Sequence, residues 1–455
     1  MKRRAFLSAS VGAAATFSLT GGGTALGQNT DSHGAGRRLS VLDPSGRLGR
    51  KTLAELRDQY RHDLFAEYIP FHDKWVVDHE YGGFTVKTGW NGPTLSHEKS
   101  PTYEGRGLWT YSFLYNKLDQ NPRHLEAARR SVEFIMKNKP SGDAIWPDRF
   151  SREGRPVSAP STEIYGDIFI ADGLEEYSKA KGNERYWDMA KEIMFKCIRI
   201  YDRPGYCPEI GKSELGEDAP LLSGGARIQG HWFVLLHMAT QMLEARPDTE
   251  VEAVAARCVD AIMNRHYNPD FDLNVEILNH DFSRAPEVIA QYVCTGHCIE
   301  TLWMVLYEAV RKRDRKLFDL AAQRFRRHVE VAWDDVYGGL FYGMRHVDDN
   351  VWWVHKPGWV QMEALIGLVS IIEHTGAEWA KDFFGRLYPW VMAKFPLKQY
   401  GYPLWIDYAD RWVHFDKGDG SRRAENLHHP RQLMFNLLAV ERMIKRGGKV
   451  AGIFD

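Results

Sequence analysis

The 455-residue chain is short of the features that mark the commonest function classes. Five cysteines, Cys197, Cys207, Cys258, Cys294 and Cys298, give an odd count without a CxxC pair, which argues against a disulfide framework. A formal net charge of -1 leaves no basic field to hold nucleic acid. There is no GxGxxG, no P-loop and no HExxH, so phosphate cradles and the helical zinc pair are excluded as motifs. Cys294 and Cys298 lie four apart on a predicted helix, either side of His297, but no second Cys/His pair at zinc spacing accompanies them. No metal site and no cofactor is therefore expected.

What is present begins with an export leader. Residues 1–28 place Arg3 and Arg4 before Phe6 and Leu7 and then a mildly apolar Ala, Val and Gly run, the pattern of a twin-arginine signal. That run is too short and too rich in glycine for a membrane span, and Ala25, Leu26 and Gly27 offer a processing site. A periplasmic or secreted protein with no membrane attachment after processing is expected. Residues 29–49, rich in Ser, Gly, Asp and Arg, read as a flexible linker. Residues 50–455 show no break and read as one domain.

Within that domain apolar residues recur with helical period over twelve stretches: 51–67, 104–119, 122–138, 163–181, 184–201, 226–245, 249–265, 294–312, 314–333, 355–374, 376–394 and 428–445. The third is amphipathic, with Leu125, Ala128, Val132, Ile135 and Met136 on one stripe. Stretches 226–245 and 294–312 are apolar nearly all round and carry isolated polar residues in their first turns, as helices inside a bundle do. This alternation predicts an all-α toroid of six helix pairs, its inner helices starting at one rim. Arg106, Tyr165, His231, His297, Trp359 and His428 mark those starts, at intervals of 59, 66, 66, 62 and 69 residues. Two similar segments, DHEYGGF at 78–84 and DDVYGGL at 334–340, predict tight glycine turns in rim hairpins.

Three constellations can carry chemistry. In Gly296-His297-Cys298-Ile299-Glu300 the carboxylate lies one turn from the imidazole and can fix its tautomer and support its charged form. In Asn426-Leu-His-His-Pro-Arg431, Pro430 suits a first helical turn and puts His428 at the mouth, while Arg431 can hold substrate hydroxyls or pair with an acid. In His355-Lys-Pro-Gly-Trp-Val-Gln-Met-Glu-Ala364, Trp359 offers a stacking face, with Gln361 and Glu363 as hydrogen-bonding groups. Arg106 is either a substrate clamp or a buried ion-pair partner.

At these residues the sequence resembles the N-acylglucosamine 2-epimerase superfamily, which includes cellobiose 2-epimerases and mannose isomerases. The elements that carry it are GHCIETLW (Gly296 to Trp303), HKPGWVQMEA (His355 to Ala364), HHPR (His428 to Arg431) and GRGLWTYSFLY (Gly105 to Tyr115), within about residues 50–446. The resemblance implies an (α/α)6 barrel and makes His297 and His428 the acid/base pair, with Glu300 beside the first. It makes Arg106 a substrate-binding position and matches His231 to a third histidine of the cellobiose 2-epimerase branch. Tyr165, Trp359, Glu363 and Arg431 complete the expected substrate-binding set. Gly358 and Thr295 depart from the family's Trp and Pro at those places. The implied activity is 2-epimerisation of a free mono- or disaccharide through an enediolate, by a monomer or homodimer, with aldose–ketose isomerisation as the alternative. Glycoside and unsaturated uronyl hydrolases of the same toroid would put carboxylates where these histidines stand, and a glycan-binding protein would not need both histidines.

Overall fold

The computed structural model describes residues 39–89, 92–159, 161–208, 225–396, 408–409 and 421–455. The expected leader and the first part of the expected linker lie outside the described residues.

Twelve long helices among the described residues form six antiparallel pairs. The outer helices are α1 (Leu53–His62, carried by a π turn, Asp63–Tyr68, into Ile69–Trp75), α3 (Pro122–Lys137), α5 (Glu184–Tyr201), α7 (Thr249–Asp260), α9 (Arg315–Ala332) and α11 (Glu378–Lys394). The inner helices are α2 (Pro101–Leu114), α4 (Tyr165–Lys181), α6 (Gly230–Ala245), α8 (Thr295–Lys312), α10 (Gly358–Thr375) and α12 (His428–Lys445). Each inner helix packs on the next, and α12 returns to α2, which closes the (α/α)6 barrel. Short two-stranded ladders decorate the rim.

Local chemistry separates the two rings. Five of the six outer helices begin on side-chain caps: Thr52 with Glu55 in a capping box on α1, Asn121 on α3, Asn183 on α5, Asp248 on α7 and Asp314 on α9, while α11 follows Ala377 without one. Among inner helices only α2 starts on a capping side chain, Ser100; α4, α6, α8, α10 and α12 have none at the N-cap position. Their first-turn N–H groups are left for other partners, and the positive ends of their dipoles favour anions. Burial follows the same division. Every residue of α6 from Gly230 to Leu243 is buried, whereas α3 buries the stripe Ala128, Val132 and Ile135. Glycines set the closest approach: a Cβ on Gly105 of α2 would run into the backbone of Phe169 on α4, and one on Gly173 of α4 would meet the carbonyl of Gly105.

Two expectations need correction. Residues 40–49 are not a free linker: Val41 and Leu48 are buried, and Val41 N donates to Gly448 O at 2.9 Å. Two apolar residues in a polar stretch suffice to seat it. Helices α6 and α10 start at Gly230 and Gly358 rather than at 226 and 355. Arg227–Ile228 pairs with Ile277–Leu278, and Lys356–Pro357 with Tyr408–Ala409, so those residues are spent on the rim.

The two glycine turns are built alike. Asp78 N donates to Gly83 O and Asp334 N to Gly339 O, both at 2.9 Å, with positive φ at Gly82, Gly83, Gly338 and Gly339. Lys99 pairs with Asp78 at 3.0 Å and Lys356 with Asp334 at 2.6 Å. Beneath the first turn Phe84 N donates to Glu104 on α2 at 2.8 Å; beneath the second Leu340 N donates to Gln361 on α10 at 2.9 Å. Burial pushes the Glu104 carboxyl up to about 7 against the pull of Lys99 and the hydrogen bonds from Phe84 and Ser131. A carboxyl raised in the folded state stabilises most below its unfolded pKa and loses that contribution as pH rises through the folded value. Glu104→Gln, which copies the sister site, is therefore expected to raise the melting temperature at pH 8 and leave it nearly unchanged at pH 5; a lower melting temperature at both would show that the charge is needed.

Candidate active site

The starts of the inner helices, all but α2 without a capping side chain, meet at one mouth around a cavity of about 380 Å³. Arg106 of α2, Tyr165 of α4, Phe233 of α6, His297 and Glu300 of α8, Trp359 of α10 and His428 of α12 line it, joined by Glu163, Ile228, Glu276, Tyr292, Tyr342 and Arg423 from rim segments.

Trp359 stands between the two histidines, its ring centre 5.6 Å from that of His297 and 5.4 Å from that of His428. Gly296 makes room for it, because a Cβ there would collide with the indole. Gly230 on α6 does the same for His297 and for the Tyr165 hydroxyl, which donates to Gly230 O at 3.3 Å. Each histidine is seated on its own buried carboxylate. His297 Nδ1 lies 3.0 Å from Glu276 Oε1, and His428 Nδ1 lies 2.8 Å from Glu363 Oε1.

Glu276 reaches His297 from a rim segment rather than from a helix. Its backbone N donates to Tyr292 O and its carbonyl accepts from Gln229 N, both at 2.9 Å, while Gly230 N donates to its Oε1 at 3.3 Å. An uncapped helix start thus helps hold the anion. Burial works to lower the pKa of His297, but the adjoining Cys294 and Glu276 outweigh it and set the imidazole well above its ordinary value. The imidazolium form of His297 is thereby favoured, with Glu276 as its counter-ion.

Around His428 the charges form a closed cluster. Arg431 Nη2 donates to both Glu300 Oε1 and Glu363 Oε1, the latter at 2.8 Å, and Trp303 Nε1 donates to Glu363 Oε2 at 2.6 Å. Burial opposes ionisation of Glu363, yet Arg431 and His428 hold its carboxyl down to about 2. Arg431 is raised further above its ordinary value by the same two glutamates against the effect of burial. At the far wall Arg106 lies over the Phe169 ring at 4.4 Å, with Glu425 3.7 Å away. Glu425 also accepts from Leu427 N and His429 N, so it takes the free N–H groups at the start of α12.

The cavity thus gathers Arg106, Tyr165, His297, Glu300, Trp359 and His428. It does not gather three other expected substrate contacts. His231 is fully buried behind Glu163, its Nε2 2.7 Å from Glu163 Oε1, where Tyr206 OH also donates at 2.8 Å. Glu363 and Arg431 lie one helical turn below Trp359 and His428 and position the latter from beneath. The role of Glu300 also changes: it pairs with Arg431, and the carboxylate that fixes His297 is Glu276. Glu276 and Glu163 had no motif to betray them, since one lies beside short strands and the other two residues before a helix.

Geometry of this kind defines an (α/α)6 barrel with two carboxylate-backed histidines in a pocket at one mouth. The chain belongs to the N-acylglucosamine 2-epimerase family, whose profile, N-acylglucosamine 2-epimerase (GlcNAc 2-epimerase), matches residues 82–422. It is similar to the N-acylglucosamine 2-epimerase of Mus musculus, with 27% identity over 377 residues covering 80% of this chain and 86% of that one. The cellobiose 2-epimerase of Dictyoglomus turgidum is 25% identical over 335 residues, 71% of this chain and 83% of its own. The structure of cellobiose 2-epimerase from Spirochaeta thermophila DSM 6192 shares the fold, with a TM-score of 0.71 and 16% identity over 86% of this chain and 98% of that one. Relatives so named belong to the isomerase class. No helix among the described residues is long and apolar enough to cross a membrane.

If Glu276 helps hold the proton of His297, Glu276→Gln lowers the pKa of that imidazole. NMR titration of ring-¹⁵N-labelled histidines is expected to show one resonance moving to lower pKa in the variant, and an unmoved titration would remove Glu276 from control of His297.

Proposed function

We propose that the chain is a sugar 2-epimerase that acts on a free reducing sugar, with His297 and His428 exchanging the proton at C2. One observation carries the reading: two histidines, each backed by a buried carboxylate, face one cavity with an indole between them. The open-chain aldose carries a carbonyl at C1, which acidifies the hydrogen on C2. In one direction His428 takes that proton to leave an enediolate, and His297 in its imidazolium form delivers its own proton to C2 from the opposite face, which inverts C2. The negative charge that builds on oxygen meets Arg106 and the positive ends of the inner helices. Trp359 supplies a flat apolar face for the sugar between the two imidazoles. Neither proton transfer calls for a metal or a nicotinamide.

The leader fits this reading, since an exported enzyme meets free sugars rather than nucleotide sugars. We propose export by the twin-arginine route; replacing Arg3 and Arg4 with lysine is expected to retain the protein in the cytoplasm, and unchanged secretion would dismiss the signal.

Proton NMR of reducing mono- and disaccharides incubated with the protein in D2O tests the chemistry. Deuterium at C2 of a 2-epimer is the expected outcome, and a ketose labelled at C1 would instead make the protein an aldose–ketose isomerase. His297→Ala and His428→Ala are each expected to slow exchange by about 10² to 10⁴ with the fold intact. More than half the rate surviving in either would take that histidine out of the reaction.

A further inference from the structure

Each catalytic histidine stands in a cluster of three side chains with metal-ligand atoms, and the two clusters are completed differently. At Glu300, Glu363 and His428 the central position is taken by Arg431, whose guanidinium bridges both glutamates. At Glu276, Cys294 and His297 one ligand atom from each residue lies within 4.8 Å of the others. No Lys or Arg pairs with Glu276 among the described residues. Glu276 is only 2% exposed, its Oε2 has no hydrogen-bond partner, and Cys294 is wholly buried. A buried carboxylate oxygen without a donor is costly, and a cation would satisfy it.

We propose that Glu276, Cys294 and His297 form an inhibitory site for a thiophilic divalent cation of the zinc type. Thiolate, imidazole and carboxylate together suit zinc and not magnesium or calcium, which prefer oxygen alone. With bonds of roughly 2.0 to 2.3 Å and tetrahedral angles, an ion holds its ligand atoms about 3.3 to 3.8 Å apart. His297 Nδ1 and Glu276 Oε1 already stand at 3.0 Å, and the cluster needs a shift of about an ångström to close on the ion. Glu276 and His297 line the cavity, so the fourth position opens to water or to a sugar hydroxyl. Binding displaces two protons, one from the Cys294 thiol and one from His297 Nδ1, and the two anionic ligands balance the charge of the ion. His297 then has no Nδ1 proton and no longer faces a free carboxylate, so it cannot serve as the imidazolium acid. The inhibition rests on the epimerase reading; the binding does not.

The test uses Co²⁺ as a coloured substitute on the full chain after chelator treatment. Titration is expected to raise one equivalent of a thiolate-to-cobalt absorption band, which Zn²⁺ displaces, which Cys207→Ser retains and which Cys294→Ser abolishes. Should Cys294→Ser not fold, Glu276→Gln is expected to weaken the band at least about tenfold. In sugar-exchange assays Zn²⁺ is expected to stop turnover and a chelator to restore it. In Cys294→Ser the half-inhibiting concentration, referred to that variant's own rate, is expected to rise at least about tenfold. The absence of the band, or its survival in Cys294→Ser, would overturn the site. Full turnover with the site loaded would overturn the inhibition. A chain that forms the band yet exchanges no sugar proton in any condition would leave the site standing and defeat the epimerase reading instead.

Discussion

The site depends above all on one buried guanidinium. Arg431 is 2% exposed and joins Glu300 of α8 and Glu363 of α10 to its own helix α12. Without it two buried carboxylates would face each other, their repulsion would act between α8 and α10, and α12 would lose its tie to both. Removing one partner of such a buried set typically costs about 3 to 5 kcal/mol, because the remaining charges stay buried and unpaired. The same arginine makes Glu363 a permanent anion, and that anion is what His428 leans on. Packing of the barrel and placement of the His428 imidazole are therefore the same interaction.

The other histidine is held by different means. Glu276 comes from the rim and is fixed by backbone hydrogen bonds and by the start of α6, so the position of His297 depends on a loop as well as on helix packing. Asn274, two residues earlier, donates to Gln229 Oε1 at 3.0 Å, and Gln229 donates to Thr301 Oγ1 at 2.9 Å, which ties that loop to α6 and α8. One imidazole sits against an arginine-balanced acid in the core, the other against an acid at the edge. This asymmetry gives two chemically similar residues different electrostatic surroundings.

Much of this was legible in the chain. The helical period located the twelve helices because amphipathic outer stripes and all-apolar inner helices give distinct patterns, and the first-turn residues of α4, α8, α10 and α12 identified the mouth, whereas Arg106 lies in the second turn of α2 because that helix starts at Pro101. Depth was not legible. Glu363 follows Trp359 by four residues and Arg431 follows His428 by three, so each shares a face with a cavity residue yet lies one turn deeper, outside the cavity lining. His231 was hidden for a related reason: Glu163 comes between it and the cavity, and no periodicity forecasts which loop residue covers a helix start. Glu276 belongs to a short rim stretch whose place is set by long-range pairing, and local sequence carries no trace of that.

The paired glycine turns have a consequence for how such a protein can change. Each turn is pinned to an inner helix two residues before a functional one: Glu104 precedes Arg106, and Gln361 precedes Glu363. A rim hairpin and the side chain it shelters are thus registered to the same turn of helix, and loop sequence beyond the pin can vary without transmitting strain to the chemistry. Substrate range and reaction type become separable properties. Wall segments beyond these two pins can be rebuilt in length and composition while Arg106 and Glu363 keep their places, whereas the rim segment that carries Glu276, on which His297 rests, is not free in that way.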